Sequence, residues 1–135
     1  MKRGKVKKGD KMKHTILVVD DEKDIRDLFQ DVLVQEGYQV FTATNGAEAI
    51  SLGKRNRLDL ALVDIKMPGM DGIEAFQKLK KVKKDMEAII LTGYGTLKTA
   101  KEAMRLGAYD YLTKPFDLGL VKNIIREALE RKKEG

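Results

Sequence analysis

Short unbroken apolar runs alternate along this chain with stretches in which apolar residues recur every three or four positions. The first run, Thr15 to Val19, ends on Asp20 and reads as a buried strand over 15–20. From Glu22, the residues Ile25, Leu28, Phe29, Val32 and Leu33 fall at helical spacing and stop near Gly37. Residues 38–43 form a second strand. Asn45-Gly46 opens a short helix through Ala47, Ala49, Ile50 and Leu52, closed by Gly53 and the basic residues after it. Residues 58–65 are a third strand, again ending near an aspartate, Asp64. Pro68-Gly69 and Asp71-Gly72 mark a turn. A helix with Ile73, Phe76, Leu79 and Val82 follows, then a fourth strand over 87–93. A fourth helix begins near Leu97 and ends at Gly107 as its C-cap. A short fifth strand lies within 108–115, and a last helix runs from about Asp117 to Lys132.

Five strand–helix units with apolar, unalternating strands imply a parallel sheet covered on both faces. Right-handed crossovers make it a doubly wound α/β sandwich. With 135 residues the chain holds one domain with a sizeable core and no room for a second. No apolar run approaches the roughly 18 residues of a membrane span. No apolar signal segment follows the basic N-terminus, and a cytoplasmic location follows by default. The absence of cysteine excludes disulfides, thiolate zinc sites and a cysteine nucleophile.

Charge changes the picture only at the N-terminus. The chain carries a net charge of +6, and residues 1–14, with seven Lys/Arg and one Asp, account for all of it. The remaining 20 basic and 20 acidic residues cancel. Residues 1–13 therefore read as a disordered, solvated tail ahead of a near-neutral domain at 14–133. No aromatic residue interleaves with the tail's charges, so base stacking has no platform, and direct nucleic-acid binding is not expected. Many Lys and Glu, few Asn and no Cys match a heat-adapted composition; melting within roughly 45–65 °C would count against that reading.

In an open parallel sheet, ligands bind outside the carboxyl ends of the strands. The residues there are Asp20 and Asp21 after the first strand, Asp64 after the third, Thr92 after the fourth, and Lys114 with Pro115 after the fifth. Three neighbouring carboxylates raise one another's pKa unless a cation compensates. Oxygen-only ligands suit Mg2+, with Mn2+ as a substitute. Such a cation neutralises charge on a transferring phosphoryl group. Asp64 is then the nucleophile, forming an acyl phosphate. Lys114 pairs with phosphoryl oxygens, and the Thr92 hydroxyl donates to one of them. Plainer roles stand beside these: helix capping for Asp20 and Asp21, a loop start for Asp64, a strand end for Thr92, a solvated loop lysine for Lys114. His14 reads as incidental, and Met67, Met70, Met86 and Met104 as packing residues.

The segments "LVVDDE", "LALVDIKMPGMDG", "AIILTGYG" and "AYDYLTKPF", in order and at these spacings, resemble the receiver domains of two-component response regulators. The likeness covers about residues 14–131. It implies a flavodoxin-like sheet of order 2-1-3-4-5 with five helices. It implies Asp64 as phosphoacceptor, Asp21 as a direct Mg2+ ligand, Asp20 acting mainly through a coordinated water, and the Lys66 backbone carbonyl as a further ligand. Thr92 and Lys114 match the switch hydroxyl and the phosphate-pairing lysine, and Tyr111 the aromatic switch position, although an aromatic there also suits the core. The Lys114–Pro115 bond is expected to be cis, a form cheap only before proline.

Lys66, two residues after the acceptor, and Tyr94, two after Thr92, are both large. They are expected to screen an acyl phosphate from water, a pairing similar to that of single-domain phosphorelay receivers. The resemblance also makes Ile25, Leu28 and Phe116 candidate contacts for a histidine kinase or phosphotransfer protein; packing into the core is the alternative for Leu28. It assigns readout to the surface of the fourth helix, fifth strand and fifth helix, toward a downstream protein, with a monomer or a phosphorylation-dependent dimer. No membrane partner is expected. The chain reads as a stand-alone receiver or as one domain of a longer regulator or hybrid kinase. It is a phosphoacceptor that catalyses only its own phosphorylation and dephosphorylation. The rival enzyme is a Mg2+-dependent aspartate-nucleophile phosphatase or phosphotransferase. Such enzymes carry a second carboxylate two residues after the nucleophile, where this chain has Lys66. A third reading, an interaction domain with a degenerate site, would require a missing site residue, and none is missing.

Overall fold

The computed structural model describes residues 13–65, 71–93 and 97–134. The expected tail, apart from Lys13, lies outside these residues, as do Lys66 and Tyr94. Five strands, β1 (Thr15–Val19), β2 (Gln39–Ala43), β3 (Leu60–Asp64), β4 (Glu87–Thr92) and β5 (Asp110–Thr113), form one sheet of order β2-β1-β3-β4-β5. Every neighbouring pair is parallel. Five helices connect and close them: α1 (Lys23–Gln35), α2 (Gly46–Arg55), α3 (Gly72–Val82), α4 (Leu97–Arg105) and α5 (Leu118–Glu134).

The unbroken apolar runs are explained by burial on both faces. Leu17, Val19, Ala61, Val63, Ala88 and Ile90 point to one side, where α2, α3 and α4 supply Ala49, Phe76, Leu79, Ala100 and Ala103. Their strand neighbours Ile16, Val18, Leu60, Leu62, Ile89 and Leu91 point to the other, against Phe29 and Leu33 of α1 and Val121, Ile125 and Leu129 of α5.

Local chemistry sets the helix ends. Asn45 accepts the Glu48 N–H at 2.8 Å as the N-cap, and the Glu48 carboxylate accepts the N–H of Thr44, one residue ahead of the cap. Asp71 accepts the Glu74 N–H at 2.8 Å. Gly37 (φ 97°) and Gly107 (φ 109°) turn the chain in the left-handed region after α1 and α4. Strand bounds are one or two residues shorter than the apolar runs suggest. β1 ends at Val19 and β4 at Thr92, β3 starts at Leu60, and α5 continues to Glu134. Apolarity reports burial, and it outlasts sheet pairing where the chain turns: Leu58 is buried yet lies ahead of β3. Among the described residues, no helix is long and apolar enough to cross a membrane.

Candidate functional site

The carboxyl ends of β1, β3, β4 and β5 bring the chemistry-bearing residues to one edge of the sheet. Asp20 follows β1 directly. Its N–H donates to the Ala43 carbonyl at 3.1 Å, and its own carbonyl accepts from the Arg26 guanidinium at 2.9 Å. The backbone is thus anchored to β2 and α1 while the side chain turns inward, fully buried. One carboxylate oxygen accepts the Glu22 N–H at 2.9 Å. The other, Oδ2, is buried and has no hydrogen-bond partner among the described residues. A local turn bond, just ahead of the helix, therefore accounts for half of this side chain. The N-cap position of α1 falls on Glu22, which makes no side-chain capping bond.

Asp64 ends β3, paired with Leu91, and is 5% exposed; Asp21 is exposed. One carboxylate oxygen from each of Asp20, Asp21 and Asp64 lies within 4.8 Å of the others. This all-oxygen, multiply anionic set can hold a hard divalent cation. Such a cation, or a water it holds, would satisfy the Asp20 Oδ2, since a buried oxygen without a partner is costly. Burial pushes the Asp20 carboxyl above the ordinary carboxylate range. The Glu22 N–H and the Lys114 ammonium oppose this without cancelling it, and the Glu22 and Asp21 charges add to it.

Lys114 stands opposite. Its N–H is bonded to the Thr92 carbonyl at 2.9 Å, and the Lys114–Pro115 bond is cis. Its ammonium contacts Glu22 Oε1 at 3.2 Å. Burial alone would lower its pKa, but the Glu22 hydrogen bond and the charges of Asp64, Asp20 and Glu22 outweigh that and raise it, which keeps the ammonium charged. The Thr92 side chain is 1% exposed, and its hydroxyl has no hydrogen-bond partner among the described residues. By strand alternation Thr92 shares the face of Ile90, the face on which half-buried Tyr111 packs. The two residues are thus on the same side of neighbouring strands.

Of the candidate donor contacts, Leu28 is 39% exposed, so the core alternative for it fails. Ile25 and Phe116 are half-buried against the α1/α5 core, with the Phe116 ring centroid 5.3 Å from that of Phe29. Lys66 and Tyr94 lie outside the described residues.

Two residues at the site escape sequence reasoning. Glu22 reads as a helix start, and its contact with Lys114 spans 92 positions. Gly72 reads as a turn residue. A Cβ there would sit 2.1 Å from the Asp64 carbonyl oxygen and 2.5 Å from Ile65 Cα. The Gly72 N–H also bonds the Ile65 carbonyl at 2.7 Å. Only glycine lets α3 start against the backbone that carries Asp64. The sole sequence signal was its place shortly downstream of Asp64, in a segment already rich in turn residues.

The family model described as "Response regulator receiver domain" matches residues 16–126. This chain belongs to that family. The receiver is 40% identical over 121 residues to sporulation initiation phosphotransferase F of Bacillus subtilis, covering 90% of this chain and 98% of that protein. It is 38% identical over 115 residues to the regulatory protein AtoC of Escherichia coli, covering 85% of this chain but 25% of that longer protein. A CheY-like receiver domain from Methanospirillum hungatei superposes with a TM-score of 0.86 at 35% identity, covering 91% of this chain and 99% of that one. The receiver is thus a signalling module of the two-component type, and these relationships disfavour a phosphatase. Receivers of this family work with histidine kinases or phosphotransfer proteins.

Proposed function

We propose that this receiver takes a phosphoryl group onto Asp64 from a histidine kinase or phosphotransfer protein in a Mg2+-dependent reaction, with Mn2+ able to substitute. The observation that carries the proposal is the buried Asp20 oxygen without a partner among the described residues, inside a three-carboxylate cluster that faces a charged lysine. Asp20, Asp21, Asp64 and the Lys66 carbonyl would hold the cation, Asp21 directly and Asp20 mainly through a water. When bound, it supplies charge neutralisation on the phosphoryl oxygens.

The chain's own residues do the rest. An Asp64 carboxylate oxygen attacks phosphorus and forms a new P–O bond. The bond to the donor breaks, and the donor's imidazole nitrogen or acetate oxygen leaves with the electron pair. Lys114 exchanges Glu22 for a phosphoryl oxygen. The Thr92 hydroxyl, which has no partner among the described residues, donates to another, and Tyr111 on the same face follows it. That shift biases the surface of α4, β5 and α5 toward a downstream protein, as monomer or dimer. Lys66 and Tyr94 screen the acyl phosphate from water. The double variant Lys66→Asn with Tyr94→Ala should dephosphorylate faster; an unchanged rate refutes screening. Leu28, Ile25 and Phe116 meet the donor in the cytoplasm.

Incubation with labelled acetyl phosphate and Mg2+ tests the reading against an enzyme. The receiver should bind at most one phosphoryl group per chain, and hydroxylamine should release it as an acyl phosphate. Steady release of phosphate from varied monoesters would favour the phosphatase instead.

A further inference from the structure

At the opposite end of the sheet, the fold joins two basic runs that are separate in sequence. Lys54 and Arg55 close α2, and Arg57 follows it. Lys81 lies in the last turn of α3, and Lys83 and Lys84 follow that helix. The two helix ends abut: a Cβ on Gly53 would lie 3.1 Å from Leu79 Cδ2 and 3.9 Å from Lys83 Cγ. Between them lies a cleft of about 440 Å³, bounded by Arg57, Lys83 and Lys84 with Leu58, Val82 and Met86.

Few acids oppose these six cations. Asp59 and Asp85 line the same cleft. Asp59 is 1% exposed and is engaged by the Thr15 N–H at 2.8 Å and by Arg57 at 3.4 Å. Among the described residues, Lys54, Lys81, Lys83 and Lys84 join no ion pair. Lysines in a last helical turn offset the helix macrodipole, but each helix end carries only about half a negative charge. Two helix ends therefore leave most of this charge uncompensated. The structure stitches a different lysine, Lys80, to the local carbonyls of Lys84 and Met86. Lys13, the one described residue of the basic N-terminal run, precedes His14 at this end, where the His14 carbonyl accepts the Gln39 N–H and the Thr15 carbonyl accepts the Asp59 N–H.

We propose that this end of the receiver binds the phosphate backbone of duplex nucleic acid without reading its sequence. A patch of six cations gathered from two helix ends is the electrostatic footprint of such binding. The cleft has no aromatic lining residue, which disfavours single strands held by stacking. The acceptor site is at the other end of the strands, so phosphorylation and duplex binding do not compete for the same surface. Read along the chain, the two runs are short and about 25 residues apart, and no local pattern shows that the ends of α2 and α3 bring them together.

Anisotropy of a short fluorescent DNA duplex of scrambled sequence, titrated with the full chain, tests this. Binding should weaken from about 50 to about 200 mM salt with a log–log slope of about −3.5 to −5.5, for four to six phosphate contacts. The triple variant Lys81→Glu, Lys83→Glu, Lys84→Glu should weaken binding at least about tenfold and flatten the slope. Lys54→Glu with Arg55→Glu, on the other helix, should act in the same direction. Both should melt as the parent does and accept phosphoryl at Asp64 as before, so a failure of the acceptor reading shows separately. In a full chain with Lys2, Arg3, Lys5, Lys7 and Lys8 changed to Gln, the triple reversal should still weaken what binding remains. No duplex binding, binding untouched by both reversals, or binding to poly-glutamate in preference to the duplex would each overturn the proposal, the last pointing to an acidic protein partner.

Discussion

Replacing Asp20 with Asn should stabilise the cation-free protein and weaken its response to Mg2+. Asp20 and Asp64 are both buried, and their nearest oxygens lie within 4.8 Å. Two unit charges at that distance repel by about 3.5 kcal/mol at an effective dielectric constant of about 20, and by ~0.9 kcal/mol at about 80. The unfolded chain does not confine these charges, so the repulsion counts against the fold. Lys114 offsets part of it, which leaves an expected gain of roughly 1–3 kcal/mol for Asp20→Asn without Mg2+. The amide oxygen can still accept the Glu22 N–H, so the turn into α1 is kept. With Mg2+ at about 100 times its dissociation constant, the parent should gain about 2.7 kcal/mol. The variant, one anionic ligand short, should gain much less, so its advantage over the parent should shrink by most of that amount. Urea unfolding followed by circular dichroism, in EDTA and in Mg2+ at matched ionic strength, reads both differences. A variant less stable than the parent in EDTA, or equal Mg2+ gains in both, would sink the reasoning.

Gly72→Ala should cost about 1–3 kcal/mol by overpacking, because the new methyl meets the Asp64 backbone, and it should slow Asp64 phosphorylation more than any other conservative change in α3. Thr92→Val should leave the unphosphorylated protein at least as stable in urea, since it removes a buried hydroxyl that has no partner among the described residues, yet it should abolish the phosphorylation-dependent chemical-shift changes on β5 and α5. Glu48→Ala should cost about 0.5–1 kcal/mol at neutral pH by opening the α2 cap. The Thr44 N–H, then its hydroxyl, hold the Glu48 carboxyl below its ordinary value of 4.5. The cap's contribution is therefore fully present above that value and lost as pH falls through the lowered one, so the variant's pH–stability curve should be flatter on the acid side. Leu28→Ala should change stability by less than about 0.5 kcal/mol and leave acetyl-phosphate labelling intact, while slowing transfer from a histidine donor.

What sequence could disclose followed from how local each cause was. Strands buried on both faces must be apolar throughout, so β1, β3 and β4 were visible with their order of appearance. Asp20, Asp64, Thr92 and Lys114 each sit at or just past a strand end, and a parallel sheet aligns those ends. Their convergence thus follows from topology. Contacts set by the crossing of distant segments were not visible. The Glu22–Lys114 pair, the approach of Gly72 to the Asp64 carbonyl and the abutting ends of α2 and α3 depend on packing angles that no local pattern encodes. The dual use of Asp20, one oxygen for the turn and one for a cation, also needed coordinates, because either use alone accounts for an aspartate there.

The central claim is that the Asp20–Asp21–Asp64 cluster directs a phosphoryl group to one carboxylate. Intact-mass measurement after incubation with acetyl phosphate tests it most directly, on the parent and on Asp64→Asn, each with Mg2+ and with EDTA. A single phosphoryl adduct on the parent with Mg2+, and on neither protein otherwise, is the predicted result. An adduct that survives in Asp64→Asn, or that forms equally well in EDTA, would contradict it.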